Sequence, residues 1–305
     1  MDFEILLDDL FLNIDPSCDV DPAENKFLLS IINDFEGGDW RYSKFQNFIW
    51  DNIAETSLSY RERRSLVDQS HSALVAAAQN LRLTDSDDDI GKGSELAEIV
   101  LYGIMKRHFN ALPVVPKIFY KQNAQDNAKG ADSVHILLDK DGDFSLWLGE
   151  AKFYSNIEDS RLPSIVTSIF NSLQPDKLKK ENAIITNLSD LDDLEIGDTV
   201  RSAIKAALSP KSSLDELKPK LNVPILLLHE CMITSACTQM TDEYKQEVIE
   251  FHRDRAKAYF SKMIAGLGGV FLYEKIKFHV ILFPVPNKKA IVDKFVANVA
   301  HYKGQ

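Results

Sequence analysis

Two apolar runs separated by a short polar segment in the middle of the chain predict a β-hairpin. Residues 130–138 and 146–154 are each rich in branched aliphatic and aromatic side chains, and Asp139–Asp143 lies between them. An aspartate at the first position of this segment and Gly142 at the fourth are typical of a type I turn. With Gly142 in the left-handed conformation, the turn becomes a three-residue hairpin loop closed by a glycine bulge.

The length of the loop decides which residues of the two strands face each other. A three-residue loop pairs Asp139 with Asp143, and the same register carried along the ladder places Asp132 opposite Glu150. Glu150 and Lys152 are two residues apart, so their side chains point to the same side of their strand. The sequence therefore predicts that Asp132, Glu150 and Lys152 project from one face of the hairpin.

Two carboxylates and an ammonium group in one space suit the hydrolysis of phosphodiester bonds with the help of a divalent cation. We expect Asp132 and Glu150 to ligate one or two Mg²⁺ (or Mn²⁺) ions, which lower the pKa of bound water. We expect Lys152 to orient or help activate that water and to neutralise the phosphate. Asp132, Glu150 and Lys152 are thus the candidate catalytic residues.

A helix predicted over residues 94–109 supplies a further acidic candidate. Its apolar residues recur at helical spacing. Glu98 lies well inside this helix, in sequence beside Leu101, Tyr102 and Met105, and is therefore harder to explain as a solvated acid. We expect Glu98 to be a further metal ligand, directly or through water, and an ordinary ion pair is the alternative.

The order aspartate, hairpin and Glu150-x-Lys152 resembles the PD-(D/E)xK nuclease superfamily, in which a helix with a metal-directed glutamate often precedes the first strand. A wider stretch, roughly residues 94–175, resembles the HamA family, the nuclease effectors of Hachiman anti-phage systems. The related Abp-type defence proteins carry a similar domain. The resemblance to HamA rests on four segments in order: Ala97–Tyr102, Pro113–Lys117, Gly130–His135 and Leu146–Tyr154.

This resemblance implies a metal-dependent DNA nuclease that works in a complex with a superfamily 2 helicase of the HamB type. It also implies a restriction-endonuclease-like α/β fold, with a mixed β-sheet flanked by helices. Two other functions stay open. One is a stand-alone restriction or repair-type nuclease on the same fold. The other is a non-catalytic adaptor that regulates a helicase, with the hairpin charges merely structural.

The chain divides at the polar segment 84–91. Residues 1–90 form an acidic, mainly helical N-terminal region, and residues 91–305 form the nuclease domain with a C-terminal αβ extension that completes or buttresses the same sheet. The further elements predicted in this domain are a strand at 117–120, helices at 162–173, 200–208, 242–264 and 288–300, and buried strands at 223–232 and 277–283.

Charge is distributed unevenly along the 305 residues. Residues 1–90 carry 7 Lys and Arg against 19 Asp and Glu, whereas the remainder carries 28 against 27. A nuclease that binds DNA unaided is expected to show a basic surface. The composition therefore favours either a partner that supplies affinity for DNA, with the acidic region as the hypothesised contact surface, or a local basic groove. The candidate groove residues are Lys129, Lys177, Lys179 and Lys180.

Cysteine content and hydropathy indicate the compartment. Three cysteines without paired metal spacing favour free thiols in a reducing environment. No apolar run approaches the length of a membrane span, and the acidic start lacks the basic region of a signal peptide. We expect a cytoplasmic protein that does not contact the membrane.

Overall fold

A mixed β-sheet organises the computed structural model, which describes residues 3–17, 19–83, 93–121, 130–139, 143–187, 191–192, 194 and 196–305. The strands are β1 (Glu4–Leu10), β2 (Lys26–Ile32), β3 (Phe35–Glu36), β4 (Asp39–Trp40), β5 (Leu112–Val115), β6 (Ser133–Leu138), β7 (Phe144–Tyr154), β8 (Leu221–Glu230) and β9 (Lys277–Val285). Seven of them form the main sheet in the order β1-β2-β9-β8-β7-β6-β5, and β3 pairs with β4 in a small ribbon.

Helices cover both faces of the main sheet. They are α1 (Phe11–Ile14), α2 (Tyr42–Ser57), α3 (Tyr60–Ser65), α4 (Ser70–Gln79), α5 (Ser94–Arg107), α6 (Lys117–Lys121), α7 (Leu162–Ser172), α8 (Pro175–Asn187), α9 (Asp198–Ala207), α10 (Leu214–Leu217), α11 (Met232–Ala236), α12 (Asp242–Leu267) and α13 (Lys288–Lys303). One apolar core lies between the sheet and α7, α8, α9 and α12, and a second lies between the sheet and α2, α4, α5 and α13.

The four central strands, β2, β9, β8 and β7, run parallel to one another, whereas β1, β6 and β5 pair antiparallel to their neighbours. β8 and β9 read as continuous apolar runs because both of their faces are covered by helices. The predicted mixed α/β sheet flanked by helices is therefore confirmed, and the C-terminal strands complete that sheet.

Residues 1–90 contain the helices that the sequence predicted and also four strands, β1 to β4, that it did not. Lys26–Ile32 pairs in parallel with β9, with Lys26 opposite Phe278, and β1 extends the sheet beyond it. The main sheet thus runs across the predicted division at residue 90. That division stays a prediction about function, because the segment around it lies outside the described residues.

One local prediction, the strand before the hairpin, is wrong. Residues 117–120 form part of a short helix, α6, and the nearby strand is β5 at Leu112–Val115. Pro116 sits just before α6, where a missing N–H costs nothing, and its carbonyl accepts the Tyr120 N–H at 3.2 Å. After the hairpin, the structure adds a helix that the sequence analysis did not name, α8, which contains Lys177.

Candidate active site

The β6–β7 hairpin has the predicted register. Ser133 pairs with Gly149 and Leu138 with Phe144, and the Asp139 N–H donates to the Asp143 carbonyl at 3.0 Å. Continued by one residue, this register sets Asp132 opposite Glu150. The loop residues 140–142 lie outside the described residues, so the loop conformation itself stays a prediction.

Asp132, Glu150 and Lys152, which we call the charged cluster, come together at the end of the hairpin. Lys152 Nζ lies 2.5 Å from Glu150 Oε1 and 3.6 Å from Asp132 Oδ2. The Ala151 N–H donates to Asp132 Oδ2 at 3.1 Å, and the Ser168 hydroxyl donates to Glu150 Oε1 at 2.6 Å. The predicted juxtaposition of these three side chains is therefore confirmed, and each carboxylate is held by a further hydrogen bond.

The charged cluster borders a cleft of about 380 Å³ between the hairpin and the helices α7 and α8. The side chains of Glu150, Asp132 and Lys152 are 9%, 15% and 23% exposed, so they are recessed but not sealed from solvent. Short polar side chains of α7 form one wall, and Lys177 of α8 stands at its rim. A ligand that enters this cleft meets both carboxylates.

The electrostatics of the charged cluster favour an additional cation. Burial and the nearby Asp132 charge raise the pKa of Glu150, although Lys152 and the Ser168 hydroxyl oppose this rise. Burial disfavours the protonated form of Lys152, but the charges of Asp132 and Glu150 outweigh that effect and raise its pKa. Lys152 is therefore an ammonium at neutral pH, and it lies between two carboxyl groups.

The two carboxylates of the charged cluster suit a hard cation such as Mg²⁺ that keeps most of its ligands from water and substrate. Mg²⁺ in enzymes is commonly held by one or two carboxylates, with water and substrate phosphate completing its shell. Asp132 and Glu150 offer those two carboxylates beside an open cleft. Within the described residues, no group of three or more His, Cys, Asp and Glu side chains is placed to hold a metal. The charged cluster thus suits a site with two protein ligands.

Glu98 approaches the charged cluster from the other side of Asp132. It lies on α5 and is buried, and it lines a small second cavity together with Asp132 and Lys117. It does not line the cleft that Glu150 borders. The role of Glu98 as a further ligand, directly or through water, stays a prediction.

Of the lysines predicted to form a basic groove, one borders the cleft in the described part of the chain. Lys177 borders it, whereas Lys179 and Lys180 lie further along α8 and do not line it. Lys129 lies outside the described residues.

Sequence reasoning missed three polar residues around the charged cluster. Ser168 contacts Glu150 from α7, and Glu181 of α8 lines the same cleft and forms an ion pair with Lys117. The clue to α8 was present, because Leu178 and Ile185 are spaced as one helical face and both are buried. Which polar residues such a helix turns toward the hairpin depends on packing between distant segments.

Comparison with protein families extends the resemblance to almost the whole chain. The HamA family model matches residues 8–299, which include the N-terminal region as well as the hairpin. No curated protein matches the sequence. Among the described helices, none is both long and apolar enough to cross a membrane.

Proposed function

This chain belongs to the HamA family, and on that premise we propose that it is a metal-dependent DNA nuclease controlled by a partner helicase. Membership in this family indicates a protein of anti-phage defence. The proposed reaction is the hydrolysis of DNA phosphodiester bonds with Mg²⁺ or Mn²⁺ as the cofactor. The proposed partner is a superfamily 2 helicase of the HamB type.

The observation that carries this proposal is the charged cluster itself. Asp132 is 18 residues from Glu150 in sequence, yet Lys152 contacts both carboxylates at the edge of one cleft. A purely structural ion pair needs one acid for each base, and it gains nothing from a second carboxylate in a partly buried place. Two carboxylates held around one ammonium at the edge of an open cleft therefore support a cation-binding role.

Each residue of the charged cluster has a role in this proposal that follows from its surroundings. Asp132 and Glu150 would hold the cation, and Ser168 and the Ala151 N–H fix the orientation of their carboxylates. When bound, Mg²⁺ or Mn²⁺ supplies Lewis-acid chemistry that acidifies water and stabilises charge on the phosphate. Lys152 stays protonated, so its contribution is a fixed positive charge against the phosphate rather than general-base catalysis.

Control by a helicase is supported by the charge distribution. The chain has a formal net charge of −11, and a duplex-binding surface needs many Lys and Arg contacts to phosphates. Affinity for DNA would then come from the partner. The acidic N-terminal region is our candidate for the contact with that partner.

The N-terminal hypothesis is tested by substitution, because deleting residues 1–90 would remove β1 and β2 from the main sheet. Exposed acids near the sheet edge, Asp9, Asp19 and Asp21, are changed together to asparagine. We expect weaker binding to the helicase in a pull-down with purified proteins. The matched control changes the exposed acids Asp176 and Glu216 to amides, and equal binding by both variants would contradict the hypothesis.

The nuclease proposal is tested with purified protein, with and without the candidate helicase, on linear and supercoiled DNA with Mg²⁺. The variant is Glu150→Ala/Lys152→Ala. The matched control is Glu55→Ala/Lys106→Ala, a Glu–Lys pair outside the cleft whose charged atoms are 2.6 Å apart, with Lys106 exposed and Glu55 half-buried. We expect cleavage by the wild type and the control, loss of cleavage in the variant, and a change in rate when the helicase is added.

The other outcomes separate the remaining functions. Cleavage that is unaffected by the helicase, from a dimer with its own DNA specificity, would favour a stand-alone restriction or repair-type nuclease. No cleavage in any condition, together with tight binding to the helicase, would favour the non-catalytic adaptor. Metal-dependent cleavage retained by the variant would contradict the assigned residues.

A further inference from the structure

A second ion pair, between Lys117 and Glu181, lies next to the charged cluster. Glu181 lines the same cleft as Asp132 and Glu150, and its contact with Lys117 joins α8 to the start of α6. The two side chains are only 2% and 4% exposed. Taking both charges out of water costs much of what their attraction returns, so stability alone explains this pair poorly.

The backbone next to Asp132 is shaped around this pair. Gly130 lies two residues before Asp132, and a Cβ at this position would collide with Glu181 Oε2. The same Cβ would lie 3.7 Å from Lys117 Nζ. The absence of a side chain at Gly130 therefore lets both charged groups pack against the strand segment that carries Asp132.

The two members of the pair face opposite sides of that segment. Glu181 borders the cleft with Glu150, whereas Lys117 borders the small cavity that also contains Glu98. Asp132 lines both spaces. Asp132 thus shares one space with each charge of the pair.

We propose that Lys117 and Glu181 are positioning residues that set the cation affinity of the charged cluster, an inference that rests on the proposed function. Lys117 holds the Glu181 carboxylate so that it does not act as an uncompensated acid in the cleft. Glu181 in turn screens Asp132 and Glu150 from the positive charge of Lys117. The pair, with one positive and one negative charge, therefore adds no net charge next to the charged cluster.

The proposal predicts shifts of opposite sign for two single substitutions. Lys117→Met leaves an unpaired carboxylate beside the charged cluster, so Mn²⁺ should bind about tenfold more tightly. Glu181→Gln leaves an unpaired ammonium there, so Mn²⁺ should bind about tenfold more weakly. If the pair were merely structural, both variants would lose stability, and their Mn²⁺ affinities would not shift in opposite directions.

Mn²⁺ binding is measured by titration calorimetry on the full chain, and the free energy of unfolding is measured for the same samples. Breaking a buried pair destabilises a protein, so the charge-reversed variant Lys117→Glu/Glu181→Lys retains an ion pair as a second test. It places the positive charge on the cleft side, and we expect Mn²⁺ to bind about tenfold more weakly than to the wild type. Lys117→Arg, which keeps the charge, should leave the affinity within a factor of three.

The outcomes separate this inference from the proposed function. Binding by the wild type that is lost in Glu150→Gln supports the cation site. If such binding is unchanged in the charge-reversed variant and is not shifted in opposite directions by the two single variants, the role of the pair is overturned. If the wild type binds no Mn²⁺, the cation site and the role of the pair both fail.

Discussion

A second buried polar group, formed by His229 and His252, lies beside the charged cluster in the fold. His229 is on the strand next to the one that carries Glu150 and Lys152, and His252 is on α12. His229 on β8 is the register partner of Tyr154 on β7. His229 Nε2 lies 3.1 Å from His252 Nε2, and His252 Nδ1 lies 2.7 Å from the Ser30 hydroxyl. We call His229 and His252 the histidine pair.

The two groups differ in charge and in access to solvent. Burial lowers the pKa of His229 to about 4, and burial with the neighbouring His229 lowers that of His252 well below its ordinary value. The histidine pair is therefore neutral at pH 7 and fully buried, and one hydrogen bond joins the two rings. The charged cluster holds two carboxyl groups beside one ammonium and opens on a cleft, which is the arrangement that a ligand can use.

The largest effect is expected when one carboxylate charge of the charged cluster is removed without a change in side-chain shape. In Asp132→Asn the side-chain oxygen can still accept the Ala151 N–H, but a cation ligand is lost. We expect metal-dependent DNA cleavage to fall by about a hundredfold or more. The thermal unfolding midpoint is measured beside it and should change little, and cleavage within threefold of the wild type would contradict the assignment.

The histidine pair should respond in the opposite manner. His252→Leu leaves the Ser30 hydroxyl and His229 Nε2 without their partner in a dry interior, so we expect a loss of about 1–3 kcal/mol in the free energy of unfolding. Urea denaturation measures this loss. Cleavage activity of the folded fraction should be unchanged, and His301→Leu on the exposed side of α13 is the control. A specific loss of activity in His252→Leu would place the histidine pair in the active site.

The third difference is the pH dependence of stability. Burial lowers the pKa of His135 and of His279 to about 3, as it lowers that of His229 to about 4. Below pH 6.5 these histidines bind protons in the unfolded chain but stay neutral in the folded chain. The free energy of unfolding therefore falls as the pH falls. Each such histidine contributes about 1.4 kcal/mol per pH unit between its unfolded and folded pKa values.

Denaturation at pH 7.5, 6.5 and 5.5 measures this slope, and His252→Leu should reduce it. A stability that does not change between pH 7.5 and 5.5 would mean that these histidines are protonated inside the fold or exposed by local opening.

The hairpin was predictable because its information is local. A polar segment of fixed length and period-two alternation determine which side chains share a face, and so Asp132, Glu150 and Lys152 were found from the sequence. Long apolar runs likewise indicated β8 and β9. Most of the candidate site could therefore be predicted from the residues of one hairpin and its short turn.

The parts that were missed depend on pairing between distant segments. β2 joins the sheet by parallel pairing with β9, about 250 residues further along the chain, and nothing within residues 26–32 specifies that partner. Lys117 and Glu181 are likewise 64 residues apart and meet only because α6 and α8 pack around Gly130. Sequence patterns place a helix, but its neighbours decide which polar side chains face a site.

The most direct test of the central claim is an anomalous difference map from crystals soaked in Mn²⁺. We predict a peak at the charged cluster, where Asp132 and Glu150 would hold the ion, and no peak there in Glu150→Gln. A map without a peak at the charged cluster, or with the same peak in Glu150→Gln, would contradict the claim that these residues hold the catalytic metal.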